Sequence, residues 1–409
     1  MTRIAVVAPT ELPARRANTL QVMKMCQALL NLGYDVRLAA PGKPLQPRSL
    51  AGAQPEVGIE PEAGSTWAEL AHHYGLQRQF PVDWLPANPR LRRYDYSLRA
   101  VQWARRWGAD LLYTRLPQAA AFGSLLGLKT IFEVHDLPQG AMGTWLFGRF
   151  IKGKGAYRLV VITRALAEDL SRQFGAPPAP PFTVIAPDGV DLDRYAGLPI
   201  PAQARIELAE TLQSGLGRQL ELQPLTVGYT GHLYPGRGTQ LILAIAARLP
   251  EVAFLVVGGE PQDVKRLQNV IDAQNLRNAI LTGFVPNADL PRYQAACDVL
   301  LMPYQRRVAA SSGGDISRYL SPMKLFEYLA CGRAIISSDL PVLQEVLNPQ
   351  NAILLPCDDV EAWVAAIKDL QANPERRDNL AAQARRDARR YTWESRAKSI
   401  LGEKDDCSK

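Results

Sequence analysis

The sequence predicts an α/β protein made of two doubly wound parallel-sheet domains that face each other across a cleft. Three observations carry this reading. At about 150 residues per domain, a chain of 409 residues suggests two or three domains. Short β-branched runs alternate with segments of helical period, the pattern of parallel strands joined by crossover helices. The alternation breaks around residues 196–224 and then restarts.

Residues 4–8 (IAVVA) read as a buried first strand that stops at Pro9, which argues against a signal peptide. Thr19 is placed to cap a helix in which Val22, Cys26, Leu29 and Leu30 share one face, with Gly33 ending it. A second strand is expected at 35–39, followed by a long Pro- and Gly-rich loop at 41–64. Further strands are expected at 111–114, 129–134, 159–162 and 183–185. The polar helical stretch between Leu198-Pro199 and Gln223-Pro224 reads as a linker. Beyond it, strands are expected at 225–230, 253–257, 279–282 and 298–302, with helices at 239–249, 263–274 and 289–296. The Arg-rich stretch 375–390 and the segment around Trp393 read as closing helices. The expected division is a domain at 1–195, a linker at 196–224, a second domain at 225–390 and a closing tail at 391–409.

Composition narrows the function classes. Hydrophobic residues make up 47% and charged residues 21%, enough for two cores and incompatible with disorder as the main state. No apolar run approaches the roughly 18 residues of a membrane-spanning helix. The net charge of +7 permits an anionic ligand or a membrane surface and is too mild to argue for nucleic acid. Cys26, Cys297, Cys331, Cys357 and Cys407 are scattered and never spaced C-x-x-C, so neither a disulfide framework nor a zinc site is expected, and a reducing cytoplasm suits them.

In open parallel sheets, ligands sit beyond the carboxyl ends of the strands, and the informative segments fall there. In residues 321–332, Ser321 suits an N-cap, Pro322 the first helical position and Gly332 the αL cap, with Met323, Phe326, Leu329 and Ala330 as the buried face. Lys324 then stands in the first turn, where the helix dipole disfavours a cation unless an anion occupies the free N–H groups. Glu327 follows at i+3. Such a start suits a nucleotide, with diphosphate at the tip and ribose on Glu327; a solvated Lys–Glu pair on an ordinary helix has the same pattern. In residues 226–238 (TVGYTGHLYPGRG), a strand enters a loop where Gly231, His232 and Arg237 can approach a phosphate. That loop lacks both the P-loop and the dinucleotide fingerprint, and alone it also suits a turn with an exposed Arg. His135 ends the strand-like FEVHD, as a cleft residue or a satisfied core histidine. Asp191 and Asp193 imitate a D-x-D metal site but follow a strand and turn, and no metal site is assigned.

Together these segments resemble glycosyltransferase family 4, retaining nucleotide-sugar enzymes of the GT-B fold with two Rossmann-like domains. The resemblance rests on YTGHLYPGRGTQLI, Val257-Gly258-Gly259, GFVPNADLPRYQAACDVLLMPY and SPMKLFEYLACGRAIISSDLPVLQEVL, with IAPDGVD in the first half. It implies that His232 and Arg237 grip the donor diphosphate together with Gly231, Lys324 and the amides of Met323 and Leu325. It implies that Glu327, the second Glu of the family's E-x7-E motif, binds the ribose, and that His135 touches the donor sugar. Arg15, Arg16 and Asn18 would lie on the acceptor side. Four departures stand out: Tyr319 where the first Glu falls, with Asp315 close enough to substitute; His232 where Arg is usual; Asp188 where Asn is usual; and a first-domain loop without the family's usual paired glycines.

The resemblance thus implies hexosyl transfer from a UDP- or GDP-sugar to an acceptor hydroxyl with retained configuration. Arg237, Lys324 and His232 would stabilise the leaving diphosphate, and neither metal nor other cofactor would be needed. Two rivals share the architecture, a nucleotide-sugar epimerase and a degenerate nucleotide-sugar-binding homologue. Residues 80–107, with Trp84, Tyr94, Tyr96, Trp103 and Trp107 among many arginines, suit a peripheral contact with an anionic membrane, stacking on a sugar, or an ordinary helix with an Arg face.

Overall fold

A computed structural model describes residues 1–43, 63–175, 182–210, 225–309 and 314–403. Most of the expected loop at 41–64, residues 211–224 of the expected linker and residues 404–409 of the tail lie outside the described residues. The first sheet has seven parallel strands, β1 (Arg3–Val7), β2 (Asp35–Pro41), β3 (Val82–Leu85), β4 (Leu111–Thr114), β5 (Thr130–Val134), β6 (Ala156–Val161) and β7 (Thr183–Ile185), in the order β3-β2-β1-β4-β5-β6-β7. Its helices are α1 (Ala17–Asn31), α2 (Ala63–Tyr74), α3 (Tyr94–Trp107), α4 (Pro117–Leu125), α5 (Gly140–Lys152) and α6 (Arg164–Phe174). After α7 (Pro201–Ala209) comes a second parallel sheet of β8 (Thr226–Thr230), β9 (Ala253–Val257), β10 (Ala279–Gly283), β11 (Val299–Met302), β12 (Ala334–Ser338) and β13 (Ile353–Leu355), ordered β10-β9-β8-β11-β12-β13. With it go α8 (Thr239–Arg248), α9 (Pro261–Ala273), α10 (Leu290–Ala295), α11 (Met323–Cys331), α12 (Val360–Ala372), α13 (Pro374–Ala388) and α14 (Trp393–Leu401).

Both strand orders reverse beside the first strand of their sheet, at β1/β4 and at β8/β11. Crossover helices leave on opposite sides at such a point, so a crevice opens at the carboxyl ends of those strands. Strands β1, β8 and β9 are buried along almost their whole length, and β1 and β9 carry continuous apolar runs, as strands covered on both faces do. The expected strands agree to within a few residues; β3, β12, β13, α2, α4, α5, α6 and α12 are additional.

Two helix starts differ from expectation. Helix α1 begins at Ala17 after Arg16, because Thr19 is buried inside its first turn and shares a 2.6 Å hydrogen bond with Thr10. Helix α11 begins at Met323 with Pro322 as its N-cap, and the Ser321 hydroxyl instead accepts the Asp188 N–H at 3.3 Å. Gly332 does take the left-handed C-cap conformation, with φ of 63°. Met323 is only partly buried, whereas Leu325 to Cys331 are buried all round, so α11 is a core helix and not a one-faced one.

Within the expected linker, α7 packs Ala204 and Leu208 into the second core. Helix α14 goes the other way: Trp393, Ala397 and Ile400 belong to the first core, against α1. The chain re-crosses where Val190 N–H donates to Tyr391 C=O at 2.9 Å. Gly189 lies so close there that a Cβ would stand 2.9 Å from Trp393 N, so the crossing requires glycine. The aromatic rings of 80–107 are taken up in packing. Trp103 and Trp107 stack at 6.1 Å, Trp103 donates to Asp83, and the buried Tyr96 hydroxyl donates to Ala39 C=O at 2.8 Å. Among the described residues no helix is long and apolar enough to cross a membrane.

Candidate active site

A cavity of about 420 Å³ lies between the sheets, at both strand-order reversals. Gly231, His232, Arg237, Met323, Lys324 and Glu327 face it from the second sheet; Arg15, Arg16, Asn18, Arg115, His135 and Asp188 face it from the first. The two segments singled out on either side of residue 300 therefore meet in space.

Lys324 is held by aromatic faces and not by an acid. Its ammonium lies 3.7 Å from the Tyr229 ring centre and 5.4 Å from that of Tyr304, and it is buried without a hydrogen-bond partner among the described residues. Gly231, at φ 131°, makes the room: a Cβ there would stand 2.8 Å from the Lys324 Nζ. Arg237 stacks on the other ring, 5.3 Å from Tyr304, and donates to its hydroxyl at 3.3 Å, while its Nε is buried with no hydrogen-bond partner among the described residues. Burial first, and then Arg237, push the Lys324 pKa well below the lysine range. Two cations thus stand side by side on π-faces, which hold a charge without neutralising it.

Glu327 completes this wall. It is buried, and it accepts from Asn287 Nδ2 at 3.3 Å and Gln294 Nε2 at 3.4 Å. Lys324 and Glu327 are therefore not a solvated surface pair. His232 stacks on Tyr234 at 4.7 Å, and burial, Arg237 and Lys324 lower its pKa to about 4. At neutral pH it is an uncharged imidazole, so the expected third cation is absent. Leu325 does not join the wall: its side chain is in the core and its N–H bonds Pro322 C=O at 2.9 Å. Asp315 is exposed and outside the wall, its carboxylate accepting the Val308 and Ser317 N–H groups, so it does not replace the missing Glu. Tyr319 faces the cavity but donates its hydroxyl at 2.7 Å to Asp169 of α6, which also pairs with Arg318 at 2.5 Å.

On the opposite wall, His135 stands one residue past β5 and bonds Glu133 through Nε2. Glu133 also accepts from Gln21 at 2.7 Å, from Arg396 at 2.9 Å and from the Tyr113 hydroxyl. Burial pushes its carboxyl up, but Arg396, His135 and Arg115 outweigh this and hold it well below the carboxylate range. Burial and Arg115 lower His135 to about 4, so it too is neutral. The nearest ligand atoms of Glu133, His135 and Asp188 lie within 4.8 Å of one another, a spacing a metal could bridge. The donor set does not fit one, because the guanidiniums of Arg396 and Arg115 already supply the positive charge. Asp191 is likewise taken, by the buried ammonium of Lys24.

Asp188 is the odd group. Its Oδ1 is buried and has no hydrogen-bond partner among the described residues, and burial, reinforced by Glu133 and opposed by Arg396 and Arg115, raises its pKa to about 7. The folded state favours the neutral acid, so this group's contribution is present below the ordinary aspartate pKa and is lost as pH rises through about 7. Asp188→Asn should therefore gain stability over the parent between acid and neutral pH, by on the order of 4 kcal/mol at alkaline pH. Parallel denaturant melts across pH measure this, and a flat difference would refute it.

Arg15 bridges the cleft, pairing with Glu260 at 3.5 Å and stacking on Phe284 at 4.1 Å. The sequence reading missed Arg115, Tyr304, Asn287, Gln294 and Arg396. Tyr304 and both amides lie inside segments quoted above but carry no chemistry of their own, and Arg396 has no local signal.

Comparison with known proteins agrees with this geometry. A family model described as Glycosyl transferases group 1 matches residues 224–373, and one described as Glycosyltransferase Family 4 matches residues 20–194. A D-inositol 3-phosphate glycosyltransferase of Xylanimonas cellulosilytica is 28% identical over 82% of this chain and 71% of its own. A phosphatidyl-myo-inositol mannosyltransferase of Mycolicibacterium smegmatis is 24% identical over 96% of this chain and 90% of its own. Among solved structures, Anabaena HepE in complex with UDP and glucose superposes with a TM-score of 0.70 at 16% identity, covering 98% of this chain and 99% of that one. With a GT-B fold and two family models that between them span most of the chain, this protein is an enzyme of glycosyl transfer and belongs to glycosyltransferase family 4.

Proposed function

We propose that the protein transfers a sugar from a nucleoside-diphosphate sugar to an acceptor hydroxyl, with retention and without a metal. The observation that carries this is the pair of cations, Lys324 with its Nζ buried and Arg237 with its Nε buried, held on Tyr229 and Tyr304 and facing the same cavity as Glu327. As the glycosidic bond breaks, negative charge accumulates on the leaving diphosphate. Cations already desolvated and fixed stabilise it without reorganising. Glu327, oriented by two amide groups, accepts from ribose hydroxyls. The complex of HepE with UDP and glucose supports a nucleotide of this class.

His135, neutral and held by Glu133 through Nε2, presents its other ring nitrogen as an acceptor for a donor-sugar hydroxyl. The diphosphate oxygen takes the acceptor proton, so no protein base is required. Acceptors enter beside Arg16 and Asn18. The named substrates of the relatives, D-inositol 3-phosphate and phosphatidyl-myo-inositol, support a polyol acceptor.

The test is a thermal-shift panel of UDP, GDP, ADP and their common sugar conjugates. A ligand present at 100 times its dissociation constant adds about 2.7 kcal/mol. We expect one nucleotide to shift the parent and to lose that shift in Glu327→Ala. No shift with any member would overturn the donor-site reading.

A further inference from the structure

We propose that α5, with the end of α4 beside it, docks the protein on an anionic lipid surface. This docking does not depend on the glycosyl-transfer reading. Met142, Trp145, Arg149 and Lys152 follow one another at i, i+3, i+7 and i+10, so they form a single stripe along the helix. The opposite face, Leu146, Phe147 and Phe150, is buried. Two large apolar side chains of the stripe are exposed, Met142 at 57% and Trp145 at 47%.

The patch continues onto α4. Gly153 lies against Ser124, which sets the Lys152 end of α5 beside Leu125 and Leu126, exposed at 47% and 45%. Solvent contact of four such side chains is costly unless something covers them. The Arg149 guanidinium lies 5.1 Å from the Trp145 ring, a pair that spans an apolar and a polar layer.

Charge selects the occupant. Residues 137–167 contain no Asp or Glu, while Arg149, Lys152 and Lys154 are exposed there. Apolar anchors flanked by cations, with no acid among them, match a plane of hydrocarbon under a layer of negative charge. Helix α5 starts five residues after His135, at the cavity end of β5, and runs away from it towards Lys152.

The experiment is vesicle flotation with phosphatidylcholine alone and with phosphatidylcholine–phosphatidylglycerol mixtures, at low and high salt. The parent should float with the anionic vesicles at low salt and release at high salt. Met142→Ser/Trp145→Ser should weaken this about tenfold, and Arg149→Gln/Lys152→Gln/Lys154→Gln about a hundredfold. Melting curves and nucleotide binding of both variants should match the parent, showing that the fold and the donor site are intact. A parent that never floats, or variants that float as well as it does, would overturn the proposal. So would light scattering that shows a parent dimer broken by the apolar pair of changes, since a second copy would then cover the patch.

Discussion

Lys324→Met should lower transfer from a nucleoside-diphosphate sugar by about 100- to 1,000-fold, the range for losing one preorganised charge at a reacting centre. The same change should leave the ligand-free protein at least as stable as the parent. The two results have one origin. The ammonium is buried on two rings with no hydrogen-bond partner among the described residues, and a neighbouring guanidinium repels it. In the folded state it is a desolvated charge that nothing neutralises, so an apolar side chain of similar volume removes a cost of about 1 kcal/mol or more. The sign follows from the lowered pKa: the cost is absent above the ordinary lysine range and accumulates as pH falls through it. The stability advantage of the variant should therefore shrink at alkaline pH. Release of nucleoside diphosphate, followed beside denaturant melts, measures both effects. Turnover within a few-fold of the parent, or a variant clearly less stable than it, would refute the argument.

Arg396→Met should act in reverse, destabilising strongly although the residue is outside the cavity. Its guanidinium donates to Glu133 and to the carbonyls of Pro187 and Ala186, all of them buried or nearly so. Removing one partner of a buried ion pair costs about 3–5 kcal/mol, because the other charge is left uncompensated. Glu133→Gln/Arg396→Met, which removes both charges, should recover a substantial part of that loss. Because the Glu133 carboxyl is held below its usual range, its contribution is present above the ordinary glutamate pKa and is lost only as pH falls into strong acid. Activity should fall along with stability in Arg396→Met, since Glu133 fixes the His135 ring. Denaturant melts of the two single variants and the double variant decide the matter; a loss of less than about 1 kcal/mol in Arg396→Met would sink the role.

The legible parts of the molecule were those whose physics is local. Residues 253–257 are a continuous apolar strand, and the loop after β8 and the start of α11 carry their Gly, Arg and Lys within a few positions of one another. Helix α5 escaped notice because GAMGTWLFGRFIK contains three glycines, each unfavourable in a helix by about 1 kcal/mol. Packing on β5 and β6 overrides that propensity. Strand β3 is only four residues long and includes an Asp. The charge of His232 could not be read because it depends on burial beside Arg237 and Lys324, and the support of His135 could not because Arg396 lies 263 residues from Glu133. Tyr319 read as a defect in the donor site; its hydroxyl instead ties the second domain to α6.

Helix Trp393–Leu401 also sets an order for synthesis. The ribosome delivers all seven strands of the first sheet by residue 185, yet that sheet's core lacks Trp393, Ala397 and Ile400 until the second sheet has emerged as well. Until then Glu133 has no Arg396, and the nascent first half holds a buried carboxylate with part of its counter-charge missing. The first domain to be made is thus the last to be finished, and the cleft acquires its His135 wall only when both halves exist.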